Sequence, residues 1–338
     1  MFNKNFLILT ISQVFSSTPP VVTILLSGII GSTLINIKHL ATLPTGVMVG
    51  GVAISSLIAS KIMSIKGRSF GFSLGAFVST LASLLCAYSI YIQSFNIYCF
   101  ANFFIGFAMA FTHQYRFAVA EIVEKKLIPR AISIVLLLSI VGALLGSNMV
   151  NLTKNIISNH LYVGSYLFLA FLTIIPSILF IFYKDKNILV EKKYVSKKNI
   201  LDLLKNHHIR LAITSAGIGY VIMSFIMTAT PISMHVLDNI SLYKTSIVIQ
   251  LHVVGMFLPS LFTGELIKKF GHTKIIYSGV IIFILCIFIN FIHQSYYNYA
   301  FGLILLGVAW NFTFVTGTSL LVISYDDNDR FKAQGLND

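Results

Sequence analysis

Gly106-Phe107-Ala108-Met109-Ala110-Phe111-Thr112 recurs as Gly307-Val308-Ala309-Trp310-Asn311-Phe312-Thr313, 201 residues later. Two more stretches recur at similar distances. Gly51, Ser60 and Gly67 return as Gly255, Gly264 and Gly271, offset by 204, and Ser17-Thr18-Pro19-Pro20 has a partner in Thr228-Ala229-Thr230-Pro231. Self-similarity held over separate segments marks a duplicated unit. Past Thr112 the first copy runs through a basic loop and two more apolar segments. Past Thr313 the second copy reaches a loop, Asp326 to Asp338, and ends. The expectation is a two-copy protein lacking about its last fifth, with two further helices expected beyond the segment given.

Hydrophobic residues make up 56% of the 338 and charged residues 10%, with a mean hydropathy of +0.85. A soluble domain carries about a quarter charged residues. Apolar runs long enough to cross a hydrocarbon core of roughly 30 Å recur along the chain. In lipid every backbone N–H and C=O must find an internal partner, so these runs must be helical. The spans expected are 6–33, 40–63, 70–92, 97–119, 131–152, 161–183, 211–236, 245–267, 275–293 and 298–322. The fold class is thus all-α and membrane-embedded, about 10 transmembrane helices of an expected 12.

A net charge of +13 invites a nucleic-acid reading, which its distribution excludes. With the N-terminus in the cytoplasm, only Lys38, Lys154 and Lys244 among the Lys and Arg residues lie outside; twenty lie inside and Arg116 lies within a span. That asymmetry obeys the positive-inside rule, placing both termini in the cytoplasm, and the basic surplus faces anionic lipid. Cys86, Cys99 and Cys286 show no metal or redox spacing. The first apolar run is too long for a signal peptide.

The spans divide six and four. Residues 1–183 form an N-terminal six-helix half, 184–210 a basic cytoplasmic central loop with eight Lys/Arg residues and His207-His208, and 211–338 an incomplete C-terminal half. In the loop Ile200, Leu201, Leu203 and Leu204 interleave with polar residues, which suits either a short amphipathic helix on the inner leaflet or a plain linker. Gly142 and Gly146 form a GxxxG in the fifth span, a spacing that lets helices approach closely.

Two six-helix halves in parallel repeat, joined by a basic loop, resemble the major facilitator superfamily. The loop between its second and third helices typically reads Gly-x-x-x-Asp-Arg-x-Gly-Arg-Lys. Here it reads Ser60-Lys61-Ile62-Met63-Ser64-Ile65-Lys66-Gly67-Arg68-Ser69, with Gly67 and Arg68 matching and Ser64 at the acidic position. The second copy, Gly264 to Thr273, carries Lys268, Lys269 and Gly271 and also lacks the acid. The resemblance implies that these loops, Gly67, Arg68, Lys268, Lys269 and Gly271, help close the cytoplasmic side. It also implies alternating access between two halves in a bacterial cytoplasmic (inner) membrane. Antiporters of the family often carry Gly-Pro in the fifth helix, where Gly146 is here followed by Ser147.

Polar side chains at membrane depth are costly and mark candidate sites. The substrate-binding candidates are Gln13, Ser17, Thr18, His113, Gln114, Arg116, Thr228, Thr230, Gln250, His252, Trp310 and Asn311. Gln13, Ser17 and Thr18 precede a double-proline kink, which frees carbonyls for a cavity or for repair by the hydroxyls. His113 and Arg116, three apart, share a helix face; Arg116 resembles the family's fourth-helix arginine, and snorkelling to the interface is its other reading. His252 falls near mid-membrane, either as a titratable group or as a neutral core histidine. Trp310 and Asn311 offer an apolar face, donors and an acceptor, suited to a small polar solute with an organic body or to packing. No Asp or Glu lies at mid-depth, and no nucleophile–base pair, metal spacing or phosphate loop appears.

The leading function is a secondary active or facilitated transporter of a small polar organic solute. Its partners are that solute and membrane lipid, with a proton or other coupling ion open and no nucleic acid. It is not an enzyme and needs no cofactor. The alternatives are a non-transporting membrane sensor or assembly partner, or an inactive truncated product.

Overall fold

The computed structural model describes residues 3–124, 127–185, 199–292 and 295–337. Among these every regular element is helical. Ten helices are long and apolar enough to cross a membrane: α1 Lys4–Leu34, α2 Leu43–Lys66, α3 Arg68–Tyr91, α4 Phe95–Ile122, α5 Ile134–Thr153, α6 Val163–Phe182, α7 His207–Leu237, α8 Leu242–Phe270, α9 His272–Phe291 and α10 Tyr296–Val322. A short helix, α11 Arg330–Asn337, follows. All ten expected spans are present. Several run past the expected ends, as α8 does through Lys268 and Lys269, because a helix need not stop where the hydrocarbon stops. Most of the basic central loop lies outside the described residues. What is described of it includes one helical turn, Ile200–Leu203, closed by a reciprocal Asn199–Asp202 capping box.

The interruptions follow from sequence. Pro19 and Pro20 occupy the first turn of the second part of α1, which breaks at Ser17; there their missing N–H groups cost least. Pro231 in α7 precedes a π-turn, Ser233–Leu237. Pro259 divides α8 after Phe257. Gly67 and Gly271 join α2 to α3 and α8 to α9 with φ of 88° and 82°. Side chains other than glycine rarely adopt that conformation, so both copies of the loop use glycine for the same turn.

The repeated glycines are the helix crossings. A methyl group at Gly51 would stand 2.5 Å from the Phe103 carbonyl oxygen, and one at Gly106 would collide with the Met48 carbonyl; so α2 and α4 touch backbone to backbone. The second copy repeats this. A methyl at Gly255 would stand 2.7 Å from the Ile304 carbonyl, and one at Gly307 2.5 Å from that of His252, joining α8 to α10. Gly142 and Gly146 do the same for α5 against Val14, Ser17 and Thr18 of α1. Small residues at such contacts allow the close packing that drives association in lipid.

In the first half α6 covers α3, tied by Thr80 Oγ1 donating to Thr173 Oγ1 at 3.1 Å, and the Tyr98–Tyr166 hydroxyl pair at 2.7 Å ties α4 to α6. In the second half nothing among the described residues covers the outer faces of α7 and α9. Val221, Phe225 and Phe291 are 67%, 78% and 84% exposed and border a groove of about 1100 Å³. The halves meet along α1 with α7 and α5 with α8. Across the second seam Gln250 Nε2 donates to Ser147 Oγ at 2.8 Å, and Asn151 Nδ2 to Ser246 Oγ at 3.1 Å.

Candidate functional site

The repeated seven residues lead both α4 and α10 into a discontinuity. α4 is regular to Thr112, breaks at His113-Gln114 and resumes at Tyr115. α10 is regular to Trp310 and passes into a π-turn, Asn311–Val315, before Thr316. Single π-turns inside helices concentrate at functional sites. The break in α4 directs Arg116, 5% exposed, toward the second half. Its guanidinium lies 4.6 Å from the centroid of Phe314 in the π-turn and 4.8 Å from that of Phe117. Phe314 in turn stacks on Trp310 at 4.4 Å, with the rings 16° from parallel. Tyr220 of α7 stands 6.3 Å from Phe314 and 6.3 Å from the His113 ring. Phe257, at the break in α8, meets Trp310 edge-on at 5.7 Å.

A cation from one half therefore caps an aromatic stack from the other. Desolvated contacts of this kind are worth about 2 kcal/mol, and a planar guanidinium suits them better than an ammonium. Among the described residues the buried Trp310 Nε1–H has no hydrogen-bond partner, an arrangement that leaves a donor for an acceptor arriving from elsewhere.

Of the twelve candidates, the structure gathers His113, Arg116 and Trp310 into this cluster, with Gln114 buried in the same break of α4. Thr228 of α7 is half-buried. The others are engaged in packing. Ser17, Thr18 and Thr230 donate to carbonyls one turn back, those of Val14, Phe15 and Ile226. Gln13 Nε2 donates to Ser139 Oγ of α5 at 2.8 Å, and Gln250 forms the seam contact given above. His252, fully buried, uses Nδ1–H to donate to the Leu303 carbonyl at 2.8 Å. Asn311 stitches the break in α8: its Nδ2 donates to Met256 O at 2.6 Å and Ser260 Oγ at 2.7 Å, and its Oδ1 accepts from Thr263 Oγ1 at 2.7 Å. Sequence reasoning missed Phe314, although its i, i+4 spacing from Trp310 marks an aromatic pair on one helix face. Tyr220 and Phe257 carried no such signal.

At the α2–α3 end, Arg68 is 5% exposed and forks onto Glu121 of α4, Nε to Oε2 at 2.8 Å and Nη2 to Oε1 at 2.6 Å. Its ring neighbour is Phe331 of α11 at 5.1 Å, and Nη2 also reaches Gln334 Oε1 at 3.4 Å. Asp185 accepts from the Arg68 and Ser69 backbone N–H groups, at 3.0 and 3.2 Å. The carboxylates that the loop itself lacks at Ser64 thus come from the end of α4 and from beyond α6. Burial pushes the phenols of Tyr183 and Tyr325 up, so both stay neutral near Arg68. The second copy is built otherwise. Lys268 pairs with Glu265 at 2.7 Å on an open face, both more than 70% exposed, and Lys269 lies 5.2 Å from the Phe270 ring.

Among the described residues no group of three His, Cys, Asp or Glu side chains could hold a metal. The comparisons agree with the fold. The chain is 32% identical over 345 residues to the riboflavin transporter RfnT of Brucella anthropi, covering 99% of this chain and 84% of that protein. It is 29% identical to the uncharacterized MFS-type transporter YddS of Bacillus subtilis, covering 100% of this chain and 81% of that one. The crystal structure of the transporter FucP in its outward conformation superposes with a TM-score of 0.70 at 15% identity, over 98% of this chain and 87% of that chain. The human organic anion transporter MFSD10 gives 0.71 at 12%, over 99% and 89%. The family model for the Major Facilitator Superfamily matches residues 6–337, and this chain, an integral multi-pass membrane protein and not an enzyme, belongs to that superfamily of transporters.

Proposed function

We propose that the chain moves a flat, polar aromatic solute of the flavin type across the membrane by alternating access. Residues 1–183 and 211–338 rock against each other, joined by 184–210. The observation that carries the cargo class is the Arg116–Phe314–Trp310 stack. Its groups come from both halves, so a solute held there contacts both and is released when they part. A guanidinium and an indole face favour a planar ring, and the Trp310 N–H favours one with an acceptor on its edge. The riboflavin transporter relative supports the flavin assignment. His113, Gln114, Arg116, Thr228 and Trp310 form the binding set in this reading; the Arg68 cluster holds the cytoplasmic side shut. Both termini face the cytoplasm, from the distribution of Lys and Arg.

Uptake of riboflavin into proteoliposomes tests the assignment. Saturable flux, competed by planar heteroaromatics and untouched by a simple sugar, is the expected result. Binding without flux would transfer the chain to the sensor class. Imposing a proton gradient separates coupled transport from facilitated diffusion. Single cysteines beside Lys154 and Lys244 should label only from the side opposite the N-terminus.

A further inference from the structure

We propose that Phe314 is a resident occupant of the cargo's own ring slot, held there in the absence of solute and carried out by its π-turn when a planar cargo enters. The inference rests on the reading of this cluster as the cargo site and specifies how that site is kept when empty.

Three observations point to it. First, the Phe314 ring lies where a planar cargo would: between the Arg116 guanidinium at 4.6 Å and the Trp310 ring at 4.4 Å and 16°. A benzyl ring satisfies the stacking on both sides. It has no acceptor, however, and the buried Trp310 Nε1–H remains without a partner among the described residues. A heteroaromatic ring with a carbonyl or ring nitrogen at its edge satisfies the stacking and the donor together. The slot is therefore better matched to such a cargo than to its present occupant.

Second, the ring sits in the one stretch of α10 that can re-register. Asn311–Val315 is a π-turn, which differs from an α-helix by about one residue per turn. Each residue advances a helix by roughly 100°, so a return to α geometry turns Phe314 by about that angle about the axis, carrying its ring across to the other side of Trp310, still i, i+4 on one face but out of the present stack. Third, the start of the turn is fixed. Asn311 makes three hydrogen bonds to α8, so re-registration falls on the residues after it. Thr313 Oγ1 reaches both the Ala309 and Trp310 carbonyls, at 3.0 and 3.2 Å, and can serve either register.

The chain has a single tryptophan, so its emission reports on Trp310 alone. Full-length protein in nanodiscs, with the variants Phe314→Ala and Phe314→Leu checked for intact elution, is titrated with riboflavin, with lumichrome and with fucose. The expected result is quenching by the planar probes and none by fucose, with the riboflavin midpoint at least three-fold lower in Phe314→Ala and shifted the same way, by less, in Phe314→Leu. A midpoint raised ten-fold in Phe314→Ala would show that Phe314 stacks on the cargo and would overturn the proposal. An unchanged midpoint in both variants would overturn it as well. If riboflavin fails but lumichrome quenches and tightens on removal of the ring, the resident-ring proposal stands and the flavin assignment falls. If no planar probe quenches any of the three proteins, the cargo site and the resident ring fall together.

Discussion

α4 and α10 are two copies of one helix, and they part at the end of the seven residues they share. In α4 the position matching Asn311 is Ala110, which has nothing to anchor, and three residues on the helix breaks outright at His113-Gln114. In α10 Asn311 grips α8 and the helix stays continuous through a π-turn. The duplication kept a weak point at the same register in both halves and let the flanking side chains diverge. The first copy carries a cation, Arg116, and the second the aromatic pair that receives it. The loops following α2 and α8 diverge the same way. One is buried and paired through Arg68 and Glu121, whereas the other rests on an exposed Lys268–Glu265 pair.

The loop comparison should break most visibly. Removing one partner of a buried ion pair costs about 3–5 kcal/mol, and the partial exposure of Glu121 places Glu121→Ala near 3. Glu265→Ala, at an open i, i+3 pair, should cost under about 0.5 kcal/mol. Melting in detergent reads both; equal losses would mean that the two loops are equivalent after all.

Asn311→Ala comes next. It removes three hydrogen bonds from a buried seam, the Met256 carbonyl's among them, at about 1–3 kcal/mol. Ala110→Asn should give no matching gain in α4. A wild-type melting curve for Asn311→Ala would show that the stitch across the α8 break does not hold α10.

At the site itself, losing a desolvated cation–aromatic contact of about 2 kcal/mol corresponds to a roughly 30-fold loss of affinity. Arg116→Ala should therefore lower riboflavin flux by about that factor at subsaturating concentration. Arg116→Lys should recover only part of it, since the ammonium lacks the planar fork. Full recovery with lysine would reduce the role of Arg116 to charge alone.

The smallest effect belongs to the seam between halves. Gln250→Ala removes one hydrogen bond, from α8 to Ser147 of α5, and about 1 kcal/mol shifts an open–closed balance about five-fold. Energy transfer between labels on α5 and α8 should show the more open population growing. No change would place the clasp elsewhere, and Asn151 is the next residue to test.

Much of this was legible in the residues. Hydropathy located all ten spans, and the double proline located the break in α1, because both are properties of contiguous sequence. The recurring glycines announced the repeat, and the loop with Gly67 and Arg68 pointed to the family. The partners of Arg68 were not legible: Glu121 is 53 residues away and Gln334 is 266, and nothing local pairs them. The partners of the polar residues at depth were not legible either. Depth in the membrane singled out Ser17, Thr18, Thr230 and Asn311, but a hydroxyl or amide at depth finds a carbonyl in its own or a facing helix as readily as it finds a solute. Phe314 went unnoticed among 28 phenylalanines, since composition cannot separate a ring that faces lipid from one that faces an arginine.

The glycine crossings have a mechanical consequence. Gly106 and Gly307 press α4 and α10 against their neighbours immediately ahead of the breaks. Each crossing acts as a fulcrum, and the helix beyond it is a cantilever: eight residues, Tyr115–Ile122, in one copy and seven, Thr316–Val322, in the other. Eight residues span about 12 Å at 1.5 Å per residue, so a tilt of roughly 10° at the break moves the tip by about 2 Å. Arg116 sits near the root of one lever and Glu121, the partner of Arg68, near its tip. A small tilt at the ring stack therefore reaches Glu121 and its pair with Arg68 as far as the packing of Tyr115–Ile122 on α1 and α5 lets the segment turn.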